Sequence, residues 1–245
     1  MIRQLLYSSF VFFLFLFSCK SKTHTDSRVE IARSENENSL RKLLNKKDID
    51  YEQCEIYLRA FKLEEELQVW AKNVSDDSFT FIKSYNFCTN SGKLGPKRRE
   101  GDLQIPEGSY HINRFNPQSR FYLSLGLNYP NTSDLYFADK TRPGSDIFIH
   151  GACVSLGCIA ITDDKIKELY TLASQAQSNG QTMIRTDIFP IQFDNEISVT
   201  QLHELADYQS NKAFWENLEE VFFDFENTKK LREIQVNEKG RYELM

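Results

Sequence analysis

Glycine and proline are scarce, ten and six in 245 residues, which excludes a collagen-like or Pro/Gly-driven chain. Positive charge is not in excess. Thirty Lys and Arg against 35 Asp and Glu leave a net charge of −5, and nothing favours a nucleic-acid partner, which calls for a basic patch. Five cysteines are too few for a disulfide scaffold. There is no Cys-x-x-Cys and no His/Cys cluster at zinc spacing, so neither a structural metal nor a cofactor is expected. No internal repeat is present. The chain does hold 40% hydrophobic and 13% aromatic residues, too many for general disorder, and it is long enough to bury a sizeable core without staples.

The first residues read as a leader. Phe10 to Phe17 is an apolar run of eight, enough for a signal-peptide core and too short to span a bilayer as a helix. Leu16-Phe17-Ser18-Cys19 follows, a small residue before a cysteine with leucine three positions earlier. It resembles the bacterial lipobox, which implies cleavage before Cys19, lipidation of Cys19, and an exported protein held to a membrane by that lipid. Lys20 to Asn38 is polar, without apolar period, and is expected to be a flexible tether.

Beyond it, Leu40, Leu43 and Leu44 predict a short amphipathic helix over 39–47. Alternation over Cys54–Phe61, Leu67–Lys72 and Phe79–Ile82 predicts an antiparallel meander. Ser91 to Asp102, rich in Gly, Lys and Arg, reads as a loop. Tyr110–Asn113, Phe121–Leu127, Ile147–Ile149 and Met183–Ile191 are further strands. Thr162 is expected to cap a helix that begins with Asp163 and Asp164 and stops at Asn179-Gly180. Val199–Phe225 is helical in pattern, and Glu233–Leu244 reads as a hairpin. The expected organisation is a leader (1–18), a tether (19–38), a catalytic domain (39–195) and a helical extension with a terminal hairpin (196–245).

Chemistry concentrates in one stretch, Asp146 to Thr162. An apolar strand ends at His150-Gly151, and Ser155-x-Gly157-Cys158 follows. A thiol is a good nucleophile only as thiolate, and a nearby imidazole can take its proton. Gly157 removes a side chain beside the sulfur, and the amides of Gly157 and Cys158 are placed to face an oxyanion. On spacing alone the pair reads equally as a packed thiol and a satisfied core histidine.

The stretch I-H-G-x-C-V-S-x-G-C-x-A resembles the YkuD-type L,D-transpeptidase catalytic domain, most closely its YafK-like branch. Gly95-Pro96-Lys97 and Glu100 to Tyr110 are similar to that family's G-D-x-x-T-P-E-G-x-Y block, with Ile105 where Thr is usual. Asn116-Pro117 and Tyr129-Pro130-Asn131 are similar to the branch's own loops. The resemblance implies a mostly β (α+β) sandwich with flanking helices, attack of Cys158 on the diamino-acid carbonyl of a peptidoglycan stem peptide, and a thioester intermediate. His150 carries over as general base and acid, Ser155 as the supporting hydroxyl, and Gly157 as an oxyanion-hole position.

This chain departs from cross-linking members in two ways. Only Gly151 to Val154 separates His150 from Ser155, and Ala160 stands where those members have Arg. Some of the branch is thought to release wall-linked protein hydrolytically, so hydrolysis or release of a wall-linked lipoprotein is expected over 3-3 cross-linking. The alternatives are a true transpeptidase, a non-catalytic peptidoglycan-binding lipoprotein, and a cysteine peptidase of unrelated fold, which the P-E-G block argues against. For Cys153 a packed thiol is expected rather than a regulatory disulfide. His111 is taken as a polar strand residue rather than a groove-lining one, and His203 is given no role. Lys97, Arg98 and Arg99 read equally as a solvated loop and as an anion-binding one.

Overall fold

The computed structural model describes residues 24–245; the predicted leader and Cys19 lie outside them. Helix α1 spans His24–Asn45. Strands β1 (Cys54–Phe61), β2 (Glu66–Asn73) and β3 (Thr80–Asn86) follow, then β4 (Gly108–Asn116) and β5 (Ser124–Leu127). A short helix α2 (Thr132–Phe137) precedes β6 (Phe148–His150) and β7 (Ile159–Ala160). Helix α3 (Asp163–Ser178) leads into β8 (Arg185–Phe189), α4 (Glu196–His203) and α5 (Tyr208–Thr228). The small strands β9 (Ile234–Val236) and β10 (Tyr242–Leu244) form the terminal hairpin.

The protein is α+β, dominated by one curled eight-stranded sheet of order β3-β2-β1-β8-β4-β5-β6-β7. The meander β1–β2–β3 is antiparallel as its alternation predicts. Strand β8 inserts parallel to β1 and antiparallel to β4, which joins the meander to the half that carries His150 and Cys158. Leu58, Val69 and Ile82 from one half share a core with Ile112, Leu125 and Ile149 from the other, closed by Ile166 and Leu169 of α3. Among the described residues no helix is long and apolar enough to cross a membrane.

Three local expectations change. The segment 24–38, expected to be tether, is helical and continues into the predicted 39–47 helix. Its apolar spacing is thin, but Ala32, Leu40 and Leu44 are fully buried in the main core. Arg28 also donates to the carbonyls of Ser119 and Tyr122 at 3.1 and 2.9 Å, so contacts with distant segments hold a helix that composition alone does not show. Thr162 does not cap α3 with its side chain; its φ of 71° is outside the extended region that a capping hydroxyl needs. The predicted helix over 199–225 is two helices. The chain turns between them through Leu205 and Tyr208, which pack into the cluster around Trp215.

The C-terminal helices do not stand apart from the sheet. Trp215, Leu218 and Phe222 of α5 bury against Phe61 of β1 and Phe189 of β8. One polar connection runs through this region. Lys62 Nζ, fully buried, donates to the carbonyls of Gly95 and Ile105 and to Glu107 Oε1 at 2.8 to 2.9 Å. Glu107 is also fully buried; its Oε1 accepts from the Gly95 amide at 2.7 Å, and its Oε2 accepts from Trp215 Nε1 at 2.8 Å. The G-P-K and P-E-G segments are thereby fastened from within to β1 and α5.

Candidate active site

His150 ends β6 and pairs with Ala160 across the parallel β6–β7 ladder. Cys158 immediately precedes β7, the strand that pairs in parallel with β6, so the backbone brings the turn that carries it next to the strand that ends at His150. The imidazole is buried and stacks on the ring of Phe121, with centroids 4.5 Å apart. Its Nδ1 meets the Gly151 carbonyl. A carbonyl only accepts, so Nδ1 holds the proton and Nε2 is left as the basic nitrogen. Burial pushes the imidazole below its ordinary pKa and so favours a neutral ring; the bond to Gly151 opposes that shift. The Cys158 thiol is half-buried and sits 3.7 Å from the Asp146 carbonyl. Burial pushes its pKa up, while a hydrogen bond from the Phe148 backbone and the charge of Lys97 pull it down. The two shifts together favour a neutral thiol and a neutral imidazole at rest.

The turn that carries Cys158 is held by hydroxyls. Ser155 Oγ donates to the Cys158 carbonyl at 2.7 Å and accepts from the Cys158 amide at 3.0 Å. Ser91 Oγ accepts from the Gly157 amide at 2.8 Å and lies 3.1 Å from Ser155 Oγ. The two amides expected to face an oxyanion therefore already have hydroxyl partners. Gly157 has φ +118°, and a Cβ there would sit 2.9 Å from the Gln104 carbonyl. The glycine is required by that close backbone approach and by its left-handed conformation, rather than by clearance beside the sulfur.

The short connection from His150 to Ser155 is pinned twice. The amide of Ala152 donates to Asp163 Oδ1 at 2.8 Å. Cys153 is not a packed thiol but is bonded to Cys88, with Cα atoms 5.4 Å apart. Cys88 sits just past the end of β3, and Cys88, Thr89 and Ser91 run alongside the catalytic stretch, with the Cys88 amide bonded to the Ala160 carbonyl and Thr89 bridged to Ala160. Ala160 is fully buried in that contact. Of the remaining cysteines, Cys54 is buried and its pKa is pushed to about 12 by burial, which leaves it inert beside Cys158.

Other sequence candidates fall elsewhere. His111 is half-buried in β4 and lines a separate cavity of about 350 Å³ with Asn128, Arg185 and Tyr242. His203, at the end of α4, packs against Tyr208. Lys97 is neither solvated nor free, being buried on Asp102 at 2.5 Å and on the Arg99 carbonyl. Arg98 is held between the rings of Phe137 and Phe214. Sequence reasoning did not pair Cys88 with Cys153 and missed Ser91: one is a lone cysteine beyond the predicted strand Phe79–Ile82, the other an ordinary loop serine, and no spacing links either to Cys158.

Residues 67–185 match the family model described as the L,D-transpeptidase catalytic domain, YkuD. The chain is 33% identical over 189 residues to YafK of Escherichia coli (strain K12), a protein carrying the L,D-transpeptidase name, covering 76% of this chain and 72% of YafK. The same figures hold for YafK of Escherichia coli O157:H7. Among solved structures, the helical cell shape determining protein Pgp2 from Campylobacter jejuni aligns with a TM-score of 0.44 and 16% identity, over 76% of this chain and 73% of that one. Bd1075 of Bdellovibrio bacteriovorus aligns with a TM-score of 0.40 and 21% identity, over 71% and 60% of the two chains.

Proposed function

This chain belongs to the YkuD family of L,D-transpeptidase catalytic domains, cell-wall enzymes that act on peptidoglycan stem peptides in the envelope, and from that premise we propose that it resolves a Cys158 thioester with water rather than with a second stem peptide. In the proposed reaction, His150 Nε2 takes the Cys158 proton as sulfur attacks the carbonyl of the diamino-acid residue. The tetrahedral oxyanion collapses, the carbon–nitrogen bond breaks, and His150 returns the proton to the leaving amine. Water then attacks the thioester with His150 as base, giving a free carboxylate and the thiol. The leaving amine belongs either to a terminal stem residue or to a wall-linked protein.

The observation that carries the choice of water is the pinned connection between His150 and Ser155. An amine outcompetes solvent only when it is held at high effective molarity. Four residues, Gly151 to Val154, fastened by the Cys88–Cys153 bond and by Asp163, have no slack to fold over an acceptor. Incubation with a disaccharide-tetrapeptide and with a protein-linked muropeptide, followed by mass spectrometry, is expected to yield tripeptide and released protein. Cross-linked dimers as the main product would restore the transpeptidase outcome.

The proton inventory sets the pH dependence. His150 is the base only when neutral, and its pKa is lowered from the ordinary 6.5 by burial. The acid limb of kcat/KM is therefore expected to rise through a midpoint below 6.5 and to vanish, with all activity, in a folded His150→Asn variant. A midpoint at or above the ordinary value would remove the buried imidazole as the titrating group. The proposal places the domain at a membrane through lipid on Cys19, on the sequence pattern alone. Membrane fractionation unchanged in Cys19→Ala would overturn that anchoring.

A further inference from the structure

We propose that Ser91 is a positioning residue for the oxyanion-stabilising amide of Gly157, acting as a stand-in for the substrate's carbonyl oxygen until acylation begins. The inference rests on the thioester mechanism above. Hydrogen-bond bookkeeping leads to it. The Cys158 carbonyl, 2.7 Å from Ser155 Oγ, only accepts, so the one Ser155 proton is committed there. Ser155 Oγ already accepts the Cys158 amide. The 3.1 Å contact between the two hydroxyls then has to be a donation from Ser91 to Ser155. With its proton spent, Ser91 Oγ presents lone pairs to the Gly157 amide, 2.8 Å away. The alternative acceptor for that amide, Ser155 Oγ, is at 3.3 Å and already occupied.

A hydroxyl oxygen thus sits where a developing oxyanion would be bound by the Gly157 amide, at ordinary donor–acceptor distance. A half-buried amide without a partner is costly, so the stand-in keeps the turn in its reactive shape between turnovers. When the carbonyl oxygen gains charge it becomes the stronger acceptor and replaces Ser91, which keeps its bond to Ser155. The position of Ser91 is fixed by its neighbours: Cys88 is bonded to Cys153 and Thr89 bridges Ala160, so the segment is anchored to both sides of the catalytic turn.

Two reactions of the same sulfur separate this role from a general structural one. Acyl transfer passes through an oxyanion; alkylation of Cys158 by iodoacetamide, a displacement at a saturated carbon, does not. In Ser91→Ala the single-turnover rate of Cys158 acylation by the tetrapeptide substrate is expected to fall on the order of 10- to 100-fold, through kcat with KM little changed. The alkylation rate of Cys158, followed by peptide mapping, stays within about twofold of the starting protein. Ser91→Thr, which keeps the hydroxyl, restores most of the acylation rate. Equal losses in both reactions, or no loss in either, would overturn the assignment to Ser91. Absence of any acyl adduct on Cys158 in the unaltered protein would instead overturn the underlying thioester mechanism.

Discussion

Replacing Cys158 with alanine is expected to lower turnover by several orders of magnitude, to the level left by binding alone, as for other nucleophiles that act as a unit with their base. Cys158→Ser is expected to be nearly as inactive: its oxygen keeps the shape, but a hydroxyl is far harder to deprotonate than a thiol, and a buried, neutral His150 is a modest base. The fold should persist in both, because the side chain is half-buried and its polar contacts are weak ones to the backbone of Asp146 and Phe148. Cys153→Ala is the informative contrast. It removes the bond to Cys88, which closes a loop of 65 residues, and the chain-entropy model gives such a bond about 4 kcal/mol. That variant is expected to lose thermal stability and to retain a substantial fraction of the catalytic rate. Steady-state kinetics and melting curves on the three proteins check this. A dead Cys153→Ala beside an active Cys158→Ala would reverse the assignment of the nucleophile.

The largest effect on stability is expected at Glu107. Its carboxylate faces a lysine ammonium, a backbone amide and an indole N–H, with no exposure to solvent. Glu107→Ala leaves the Lys62 ammonium buried with only two carbonyl partners and strands Trp215 Nε1. Desolvation already pushes Lys62 below the ordinary lysine pKa, and Glu107 is what opposes that shift. Removing one member of a buried pair costs about 3–5 kcal/mol, a large share of the stability of a typical domain. Chemical denaturation should register this as a lower midpoint at an unchanged slope. Lys62→Met together with Glu107→Leu should recover part of the loss, because both charges are then gone and apolar volume replaces them. A double variant no better than Glu107→Ala alone would mean that Lys62 does not depend on Glu107.

Much of this architecture is legible in the sequence where one physical signal dominates. Alternation over Cys54–Phe61 and Leu67–Ala71 gives the β1–β2 pair because each strand buries its apolar side chains. Ile166, Leu169 and Ala173 give α3 for the same reason at helical spacing. What was not legible depends on partners far along the chain. The helical start of α1 draws on Ser119 and Tyr122, about ninety residues away. The Cys88–Cys153 bond joins two cysteines that each look like isolated core thiols. At the site, the nearness of the turn that carries Cys158 to the strand that ends at His150 follows from the pairing of the short strands β6 and β7, and the family motif names both residues. The hydroxyl pair of Ser155 and Ser91 does not follow, since Ser91 reaches the turn only because the sheet edge brings its segment alongside β7. Cys19 and the lipidation proposed for it lie outside the described residues.

The indole of Trp215 closes its contact with Glu107 across 108 residues of chain. Order of synthesis gives this a meaning. While the polypeptide emerges from its N terminus, β1 to β7, with His150 and Cys158, are available before α5 exists. Yet the buried carboxylate beneath the P-E-G segment lacks one of its donors until Trp215 arrives. Contacts of such long separation form late, because the closure entropy of the intervening chain is met before they return any stabilisation. The buried network that fastens the G-P-K and P-E-G segments to β1 and α5 is therefore completed near the end of folding, when the C-terminal helix docks.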